Sequence, residues 1–286
     1  MPSLIDFRRR IRSVKNTQQI TKAMKMVAAA RLRKAQERVV AARPYAKMLD
    51  NVLSNVAAAV SGSDAAAENP LLARRAEKRI HLILVTSDRG LAGAFNTNLI
   101  KAAAEFLRRK QGARLTIEAV GRKGRDFFRR NEGLVTGELV GVSEKPTVAN
   151  AQAIAAKVIE RYSSGEFDAV YLIYNEFKSV LQQRLSESQL LPVALPESRA
   201  VHDYIYEEPP ASLLESLLPK YVETSIYRAM LESAASEFAA RMTAMDAATS
   251  NATDVIERLT LHMNRVRQAA ITKEIIEVVS GASALE

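Results

Sequence analysis

Residues 4–60 read LIDFRRRIRSVKNTQQITKAMKMVAAARLRKAQERVVAARPYAKMLDNVLSNVAAAV, a stretch without a single glycine. Ten of the eleven glycines of the chain lie between Gly62 and Gly165, and the other is Gly281. Residues 220–280 form a second glycine-free stretch. Since helices in globular domains average about 11–12 residues, two stretches of this length predict long terminal helices, typical of a shaft.

The first stretch carries a heptad stripe. Of seventeen positions spaced alternately by three and four residues, fourteen are apolar. These positions are Leu4, Phe7, Ile11, Val14, Gln18, Thr21, Lys25, Ala28, Leu32, Ala35, Val39, Ala42, Ala46, Leu49, Leu53, Val56 and Val60. A stripe sustained over more than three or four heptads predicts a coiled coil.

The three polar positions of the stripe, Gln18, Thr21 and Lys25, are consecutive. Two explanations are open: the seam shifts to Ile20, Met24 and Val27, or the helix meets a polar neighbour here. Pro44 is expected to bend or locally open the same helix, at a cost of about 3 kcal/mol in an ideal interior position.

The C-terminal stretch carries a similar stripe, with eleven apolar residues at twelve positions. These are Leu231, Ala235, Phe238, Met242, Met245, Thr249, Ala252, Ile256, Leu259, Met263, Val266 and Ala270. The stripe then moves by one residue, to Ile271, Ile275, Val278, Ala282 and Leu285. Pro219 is expected to separate a short helix at 211–218 from the long one.

Neither stripe can remain exposed to water, so each needs a partner. We expect the two helices to pack antiparallel on each other within one chain; homodimerisation of each stripe is the alternative. The predicted organisation is an N-terminal coiled-coil helix (1–60), a linker (61–79), a Rossmann-like domain (80–200), and a foot segment with the C-terminal coiled-coil helix (201–286).

The charge of the chain is concentrated at its N-terminus. Residues 1–50 hold thirteen Lys or Arg and three acids, whereas the remainder carries a net charge of −1. Such a helix can meet nucleic acid, an anionic membrane or acidic protein, or it can simply be solvated. The chain has no cysteine, which excludes disulfides and thiol chemistry. The chain contains no run of 18 apolar residues, so no transmembrane helix is predicted.

The middle of the chain alternates strands and helices. The apolar run 80–85 predicts a buried parallel strand, and further strands are expected at 114–120, 134–140 and 168–174. Helices are expected at 94–110, 123–130 and 148–162. This alternation predicts an α/β fold with a doubly wound, mostly parallel sheet, and residues 180–190 are a candidate edge strand.

No catalytic constellation, cofactor site or metal site is predicted. Residues 90–93, GLAG, lack the pattern of a dinucleotide fingerprint or a P-loop and are interpreted as a tight turn. Residues 121–124, GRKG, have the letters of an RNA-binding clamp, but they follow a strand of the predicted alternation. His81, His202 and His262 show no ligand spacing and are interpreted as structural.

Several segments resemble the gamma subunit of rotary ATP synthases, and the resemblance spans the chain. At the N-terminus it rests on IRSVKNTQQITKAMKMVAA at 11–29 and RPY at 43–45. In the middle it rests on SDRGLAGAFN at 87–96, where Ala92 and Ala94 stand in place of frequent cysteine and glycine. Later matches are DYIYE at 203–207, RMTAMDAATSN at 241–251 and RQAAITKEIIEVVSGA at 267–282. The redox-regulatory cysteine insert of chloroplast relatives is absent, which implies a bacterial protein.

The resemblance implies a central rotor shaft, non-catalytic itself and present once per complex. The coiled coil would enter a hexamer of alpha and beta subunits, and rotation would couple proton flow through the membrane c-ring to ATP synthesis. The α/β domain would pack with the epsilon subunit, at the cytoplasmic face of the bacterial inner membrane. The implied rotor–stator contacts are Met24, Lys25, Arg241, Arg267, Gln268, Thr272 and Glu274. An apolar tip would comprise Val278, Val279, Ala282, Ala284 and Leu285, and a ring-facing foot Tyr204, Tyr206 and Glu207.

Without the resemblance, the basic helix beside an α/β core also suits a nucleic-acid-binding coiled-coil protein, which would bind in a salt-dependent way. A nucleotide-dependent enzyme would instead need a ligand at residues 90–96. The resemblance itself implies no binding of nucleic acid.

Overall fold

The computed structural model describes residues 4–60, 69–130, 133–194 and 206–283, with side chains up to residue 280. The chain divides into two compact units. One combines residues 1–28 with 242–286, and the other spans residues 29–241. Both long helices contribute residues to each of the two units.

Ten elements follow one another along the described chain. They are α1 (Leu4–Val60), β1 (Arg79–Val85), α2 (Phe95–Arg109), β2 (Arg114–Val120), α3 (Arg122–Phe128), β3 (Val135–Leu139), α4 (Val148–Ser163), β4 (Ala169–Phe177), β5 (Gln183–Leu191) and α5 (Pro210–Ser283). The predicted alternation and the edge strand are confirmed, with element boundaries shifted by a few residues.

In the first unit, the start of α1 and the end of α5 form an antiparallel pair. The ring of Phe7 packs on that of His262, with centroids 5.2 Å apart, and Lys25 lies opposite Asp246. Residue numbers thus rise along α1 as they fall along α5. The seam positions Phe7, Thr21 and Ala28 are buried. Pairing within one chain, rather than homodimerisation, therefore satisfies both stripes.

The second unit is built on a five-stranded sheet in the order β3-β2-β1-β4-β5. The first four strands are parallel, and β5 runs antiparallel to β4 at the edge. Alternate residues of β1 serve different cores: Ile80, Leu82 and Leu84 pack with α2, whereas Ile83 and Val85 pack with α4, α1 and α5. The predicted α/β fold with a mostly parallel sheet is confirmed.

The long helix α5 runs without interruption through Pro219, so the predicted break at this proline is wrong. Two residues before this proline, Leu214 and Leu218, and two after it, Val222 and Ile226, are almost fully buried in the core. Burial of each such side chain is worth about 1.5–3 kcal/mol, and together they outweigh the cost of about 3 kcal/mol for proline in a helix. Helix α1 likewise continues through Pro44, and a bend there stays a prediction.

Candidate functional site

A polar layer interrupts the apolar seam of the first unit. Gln18 Nε2 donates to Thr253 Oγ1 at 2.7 Å, and Lys25 Nζ lies 2.6 Å from Asp246 Oδ1. Between them, the hydroxyl oxygens of Thr21 and Thr249 are 2.8 Å apart. Each polar residue of α1 therefore has its own polar partner on α5.

This layer decides between the two explanations of the misfit residues. The seam does not shift, because Ile20 is 60 % exposed and Val27 is 53 % exposed. Met24 is half-buried. The helix keeps its original register and meets a polar neighbour, while the apolar side chains of Ile20, Met26 and Val27 face solvent.

Helix α5 extends beyond its pairing with α1. Since Phe7 lies opposite His262 and α1 begins at Leu4, the described part of α1 has no residue left to face α5 after about residue 270. All residues from 271 to 280 are exposed, among them Ile275, Ile276 and Val278. Three residues of the predicted shifted stripe, Ile271, Ile275 and Val278, thus lie on a helical segment that has no helical partner among the described residues. The side chain of Ala282, and Leu285 as a whole, lie outside the described part of the chain.

A charged cluster in the second unit surrounds Arg241. Its side chain is only 9 % exposed and forms an ion pair with Glu237 one helical turn earlier. Its Nη2 also donates to the carbonyl oxygen of Gly90 at 3.3 Å. Glu144 adds to the cluster, with ion pairs to Arg31 and, at 3.3 Å, to Arg89. The cluster joins α1, α5 and two loops at the carboxyl end of the sheet.

Burial dominates the electrostatics of Glu237. Loss of solvent raises the pKa of this carboxyl to about 7, although Arg241 opposes the change and Glu144 adds to it. A pKa near 7 means that the protonated and ionised forms of this carboxyl are both populated near neutral pH. Arg31 and Arg89 also act to lower this pKa, so the cluster holds three guanidinium groups around two carboxyls.

The loop after β1 is held by Asp88. Its carboxylate accepts hydrogen bonds from the backbone N–H groups of Gly141, Arg122 and Ser143 and from the Ser143 hydroxyl, at 2.7–3.1 Å. Burial acts to raise the pKa of Asp88, but these hydrogen bonds outweigh it and lower the pKa. Leu91 adopts a positive φ of 64° and is exposed. The segment GLAG thus belongs to a tightly held turn.

The second glycine pair, GRKG, has a packing role. A Cβ on Gly121 would lie 2.2 Å from the Thr86 carbonyl oxygen, and φ at Gly121 is +96°. Gly124 N–H donates to Thr86 Oγ1 at 2.9 Å. Both glycines therefore allow the start of α3 to approach the end of β1, and their spacing needs no nucleic acid to explain it.

The described histidines take part in packing. The His81 ring stacks on Phe167, its Nδ1 lies 2.8 Å from Thr116 Oγ1, and burial lowers its pKa to about 3. His202 lies outside the described residues. Across the described ranges, no group of three His, Asp or Glu side chains is arranged to hold a metal ion. Nor does any described helix have the length and apolar character needed to cross a membrane.

Comparison with known proteins agrees with this architecture. The family described as ATP synthase matches residues 3–285. The ATP synthase gamma chain of Solibacter usitatus is 64 % identical over 286 residues, which is the full length of both chains. The chain belongs to the family of ATP synthase gamma chains. The gamma chain of Pelotomaculum thermopropionicum is 53 % identical, again over the full length of both.

A solved structure of the Tetrahymena thermophila mitochondrial ATP synthase central stalk and c-ring has a chain with TM-score 0.62 and 30 % identity. The match covers 80 % of this gamma chain and 99 % of that one. A chain of the Euglena gracilis mitochondrial ATP synthase shares the fold, with TM-score 0.67, 20 % identity, and coverage of 99 % and 94 %. This gamma chain is accordingly the rotor shaft of a central stalk, and the nucleic-acid-binding alternative gains no support.

The predicted contact residues of this gamma chain fall into different environments. Arg267, Gln268, Thr272 and Glu274 are exposed on the C-terminal part of α5, and Lys25 is engaged in the polar layer. Arg241 differs, because its side chain is turned into the charged cluster. Its partner Glu144 is more than ninety residues away in sequence, and no local sequence pattern indicated that the two would meet.

The predicted tip and foot are only partly described. Val278 and Val279 are 72 % and 59 % exposed. The side chain of Ala282 lies outside the described residues, as do Ala284, Leu285 and Tyr204. Tyr206 is partly buried against the core, and Glu207 is exposed.

Proposed function

We propose that this chain is the non-catalytic shaft that couples proton flow through a membrane c-ring to ATP synthesis in a surrounding hexamer of alpha and beta subunits. One copy would serve each complex, at the cytoplasmic face of a bacterial inner membrane. The epsilon subunit would pack on the α/β domain.

The unpaired end of α5 carries this proposal. Ile271, Ile275, Ile276 and Val278 are each between 49 % and 72 % exposed. Contiguous apolar surface of this kind marks an interaction site, because its exposure to water is unfavourable. An apolar sleeve formed by the alpha and beta subunits would cover it.

Asymmetry of the helix pair supports the coupling role. The first helix carries the excess positive charge and the polar layer, whereas the second ends in a segment with exposed apolar side chains such as Ile275 and Ile276. Each angle of such a shaft would present different contacts to three surrounding beta subunits. Contacts that differ in free energy between open and closed sites would shift their populations, which is the physical basis of the coupling.

The contact residues are proposed on the same basis. Met24, Lys25, Arg267, Gln268, Thr272 and Glu274 would touch the hexamer, and Tyr204, Tyr206 and Glu207 would face the ring. The positive charge of α1 would complement acidic segments of the hexamer; because such attraction is diffuse, single Arg→Ala changes should have small effects. Arg241, buried beside Gly90, would act on the hexamer through the exposed loop that it holds.

Native mass spectrometry of the complex purified through this chain tests the proposal. We expect three alpha and three beta subunits with one copy of this chain. Ile276→Asp should lower the thermal stability of that complex, whereas Leu261→Asp, an exposed apolar residue in the paired part of α5, should have a smaller effect. Recovery of nucleic acid in place of these subunits, or equal effects of the two variants, would contradict the proposal.

A further inference from the structure

A basic cleft lies within the second unit, between α1, the connection from β3 to α4, and α5. Its volume is about 410 Å³. Its apolar floor is formed by Ala35, Leu231, Ala234 and Phe238. The charged residues on its walls are Arg31, Lys34, Arg38, Lys145 and Glu144. Four cations therefore face one carboxylate.

Two of the four cations have no partner among the residues that the structure describes. Arg31 binds Glu144, and Arg38 donates to the carbonyl oxygen of Pro146. Within the described residues, Lys34 and Lys145 form neither an ion pair nor a side-chain hydrogen bond. Both side chains belong to exposed residues, so an anion could reach them.

The arrangement on α1 is unfavourable without an anion. Arg31, Lys34 and Arg38 follow one another at three and four residues, so they share one face of the helix. Like charges at this spacing destabilise a helix. Some basic residues of this unit do have acidic partners, for example Arg43 with Glu232 and Arg79 with Asp168.

One carboxylate of the chain already occupies part of the cluster. Glu144 lies between Arg31 and Arg89, with one oxygen on each. The basic cleft is therefore able to hold an anion. The positive charge on its side chains exceeds the single negative charge of Glu144. Guanidinium and ammonium groups together favour phosphate, which offers more charge and more acceptor oxygens than a carboxylate.

We propose that this cleft binds a small phosphate-bearing anion, of the class of pyrophosphate or a nucleoside diphosphate. Its volume lies within the range of about 300–1,000 Å³ that is usual for small-molecule sites. Arg31, Lys34, Arg38 and Lys145 would contact the phosphate oxygens, and the apolar floor would lie beneath. This site is independent of the shaft function and needs no surrounding hexamer.

Isothermal titration of the full-length chain with sodium pyrophosphate and with ADP tests the proposal. We expect saturable binding that weakens with added salt, as charge-assisted contacts do. Tighter binding of ADP than of pyrophosphate would assign the site to nucleotides, and the reverse to inorganic phosphates. Absence of binding of either at millimolar concentration would overturn it.

Three variants separate a site from general attraction. Lys34→Gln/Lys145→Gln should weaken binding by about tenfold or more, equivalent to about 1.4 kcal/mol. The control variant Lys22→Gln/Lys47→Gln also removes two positive charges, both from α1 and both outside the cleft. It should change the affinity by less than about twofold. Glu144→Gln removes the competing carboxylate and should strengthen binding.

Thermal melting of each variant shows whether it is folded. If the two double variants weaken binding equally, or if Glu144→Gln leaves the affinity of a folded chain unchanged, the cleft is not a phosphate site. If the cleft instead captures only an acidic peptide and neither phosphate compound, a protein partner replaces the proposed ligand.

Discussion

Thr21 of α1 and Thr249 of α5 face each other across the helix pair, with their hydroxyl oxygens 2.8 Å apart. Each hydroxyl also lies within hydrogen-bonding distance of a backbone carbonyl oxygen of its own helix, 3.0 Å from Gln18 for Thr21 and 2.7 Å from Met245 for Thr249. Because a hydroxyl has a single proton, one threonine donates across the helix pair and the other donates to its own helix. Because Thr21 is buried in a seam that is otherwise apolar, this pair fixes register by hydrogen bonding rather than by hydrophobic contact. A polar pair in an apolar seam is a known means of specifying how helices align, at a cost in stability.

Removal of this polar pair should have opposite effects in single and double variants. Thr21→Val should destabilise the chain by about 1 kcal/mol, since Thr249 loses its cross-helix partner. The double variant Thr21→Val/Thr249→Val should be as stable as the parent chain or more stable, because both partners become apolar. Chemical unfolding followed by circular dichroism measures both. Additive losses in the double variant would show that the pair is not energetically coupled.

Glu237 should make stability depend on pH. Burial raises its pKa from an ordinary 4.5 to about 7 in the folded chain. Between these two pH values the folded chain therefore keeps a proton on Glu237 that the unfolded chain has lost. The free energy of unfolding should therefore fall by about 3 kcal/mol as pH rises from about 4.5 to 7, and it should level off above pH 7.

Glu237→Gln mimics the protonated carboxyl and should flatten this part of the pH profile, with higher stability than the parent at pH 8. The matched control is Glu215→Gln, an exposed carboxyl on the same helix, which should leave the profile unchanged. Unfolding free energies measured from pH 4.5 to pH 8 compare the two. A parent chain whose stability rises over this range would contradict the assignment.

Arg43 holds the buried carboxylate of Glu232, whose side chain is 1 % exposed. Glu232 also accepts a hydrogen bond from the Phe177 backbone N–H, so it connects α5 with β4. Arg43→Ala would leave this carboxylate without its cation. Because Arg43 is partly exposed, we expect a loss of about 2 kcal/mol, below the 3–5 kcal/mol typical of a fully buried pair.

The control for Arg43 is Arg33→Ala on the same helix. Arg33 and Glu37 form an ion pair with both side chains mostly exposed. Its removal should cost less than about 0.5 kcal/mol. Equal losses for the two variants, measured by urea unfolding, would show that burial of Glu232 does not govern the interaction.

Gly121 should tolerate no side chain. Alanine there would place Cβ 2.2 Å from the Thr86 carbonyl oxygen, at a backbone φ of +96°. We expect Gly121→Ala to destabilise by about 3 kcal/mol or more, through strain and a backbone clash. Gly112→Ala has open space around it and should be neutral or slightly stabilising. Melting temperatures of the two variants measure the difference.

Much of this fold could be predicted from local pattern. The heptad stripe placed buried residues such as Phe7, Ala28 and Leu53 on the seam, and the run 80–85 matched β1. Such periodicity acts over a few residues and is therefore visible in a single sequence. The resemblance to gamma subunits added the family, which the full-length relatives confirmed.

Other features depended on residues far apart in the chain. The position of Pro219 inside α5 follows from core contacts that outweigh its local cost. Whether the polar misfits would shift the seam depended on what lay opposite them, and Thr249 and Thr253 were 228 and 235 residues away. The burial of Arg241 beside Gly90, which is 151 residues away, belongs to the same class.

The sequence by itself determined which segments are helix and strand, except at Pro219, and it determined where the two stripes run and that the excess charge lies on α1. Spacing, glycine placement and composition are local properties, and they suffice for these conclusions. Only the tertiary structure decided that the seam keeps its register through a polar layer, that Arg241 is turned inward, and that four cations meet in one cleft. These features arise from side chains that the chain brings together across more than one hundred residues, and no local pattern encodes which charge will meet which.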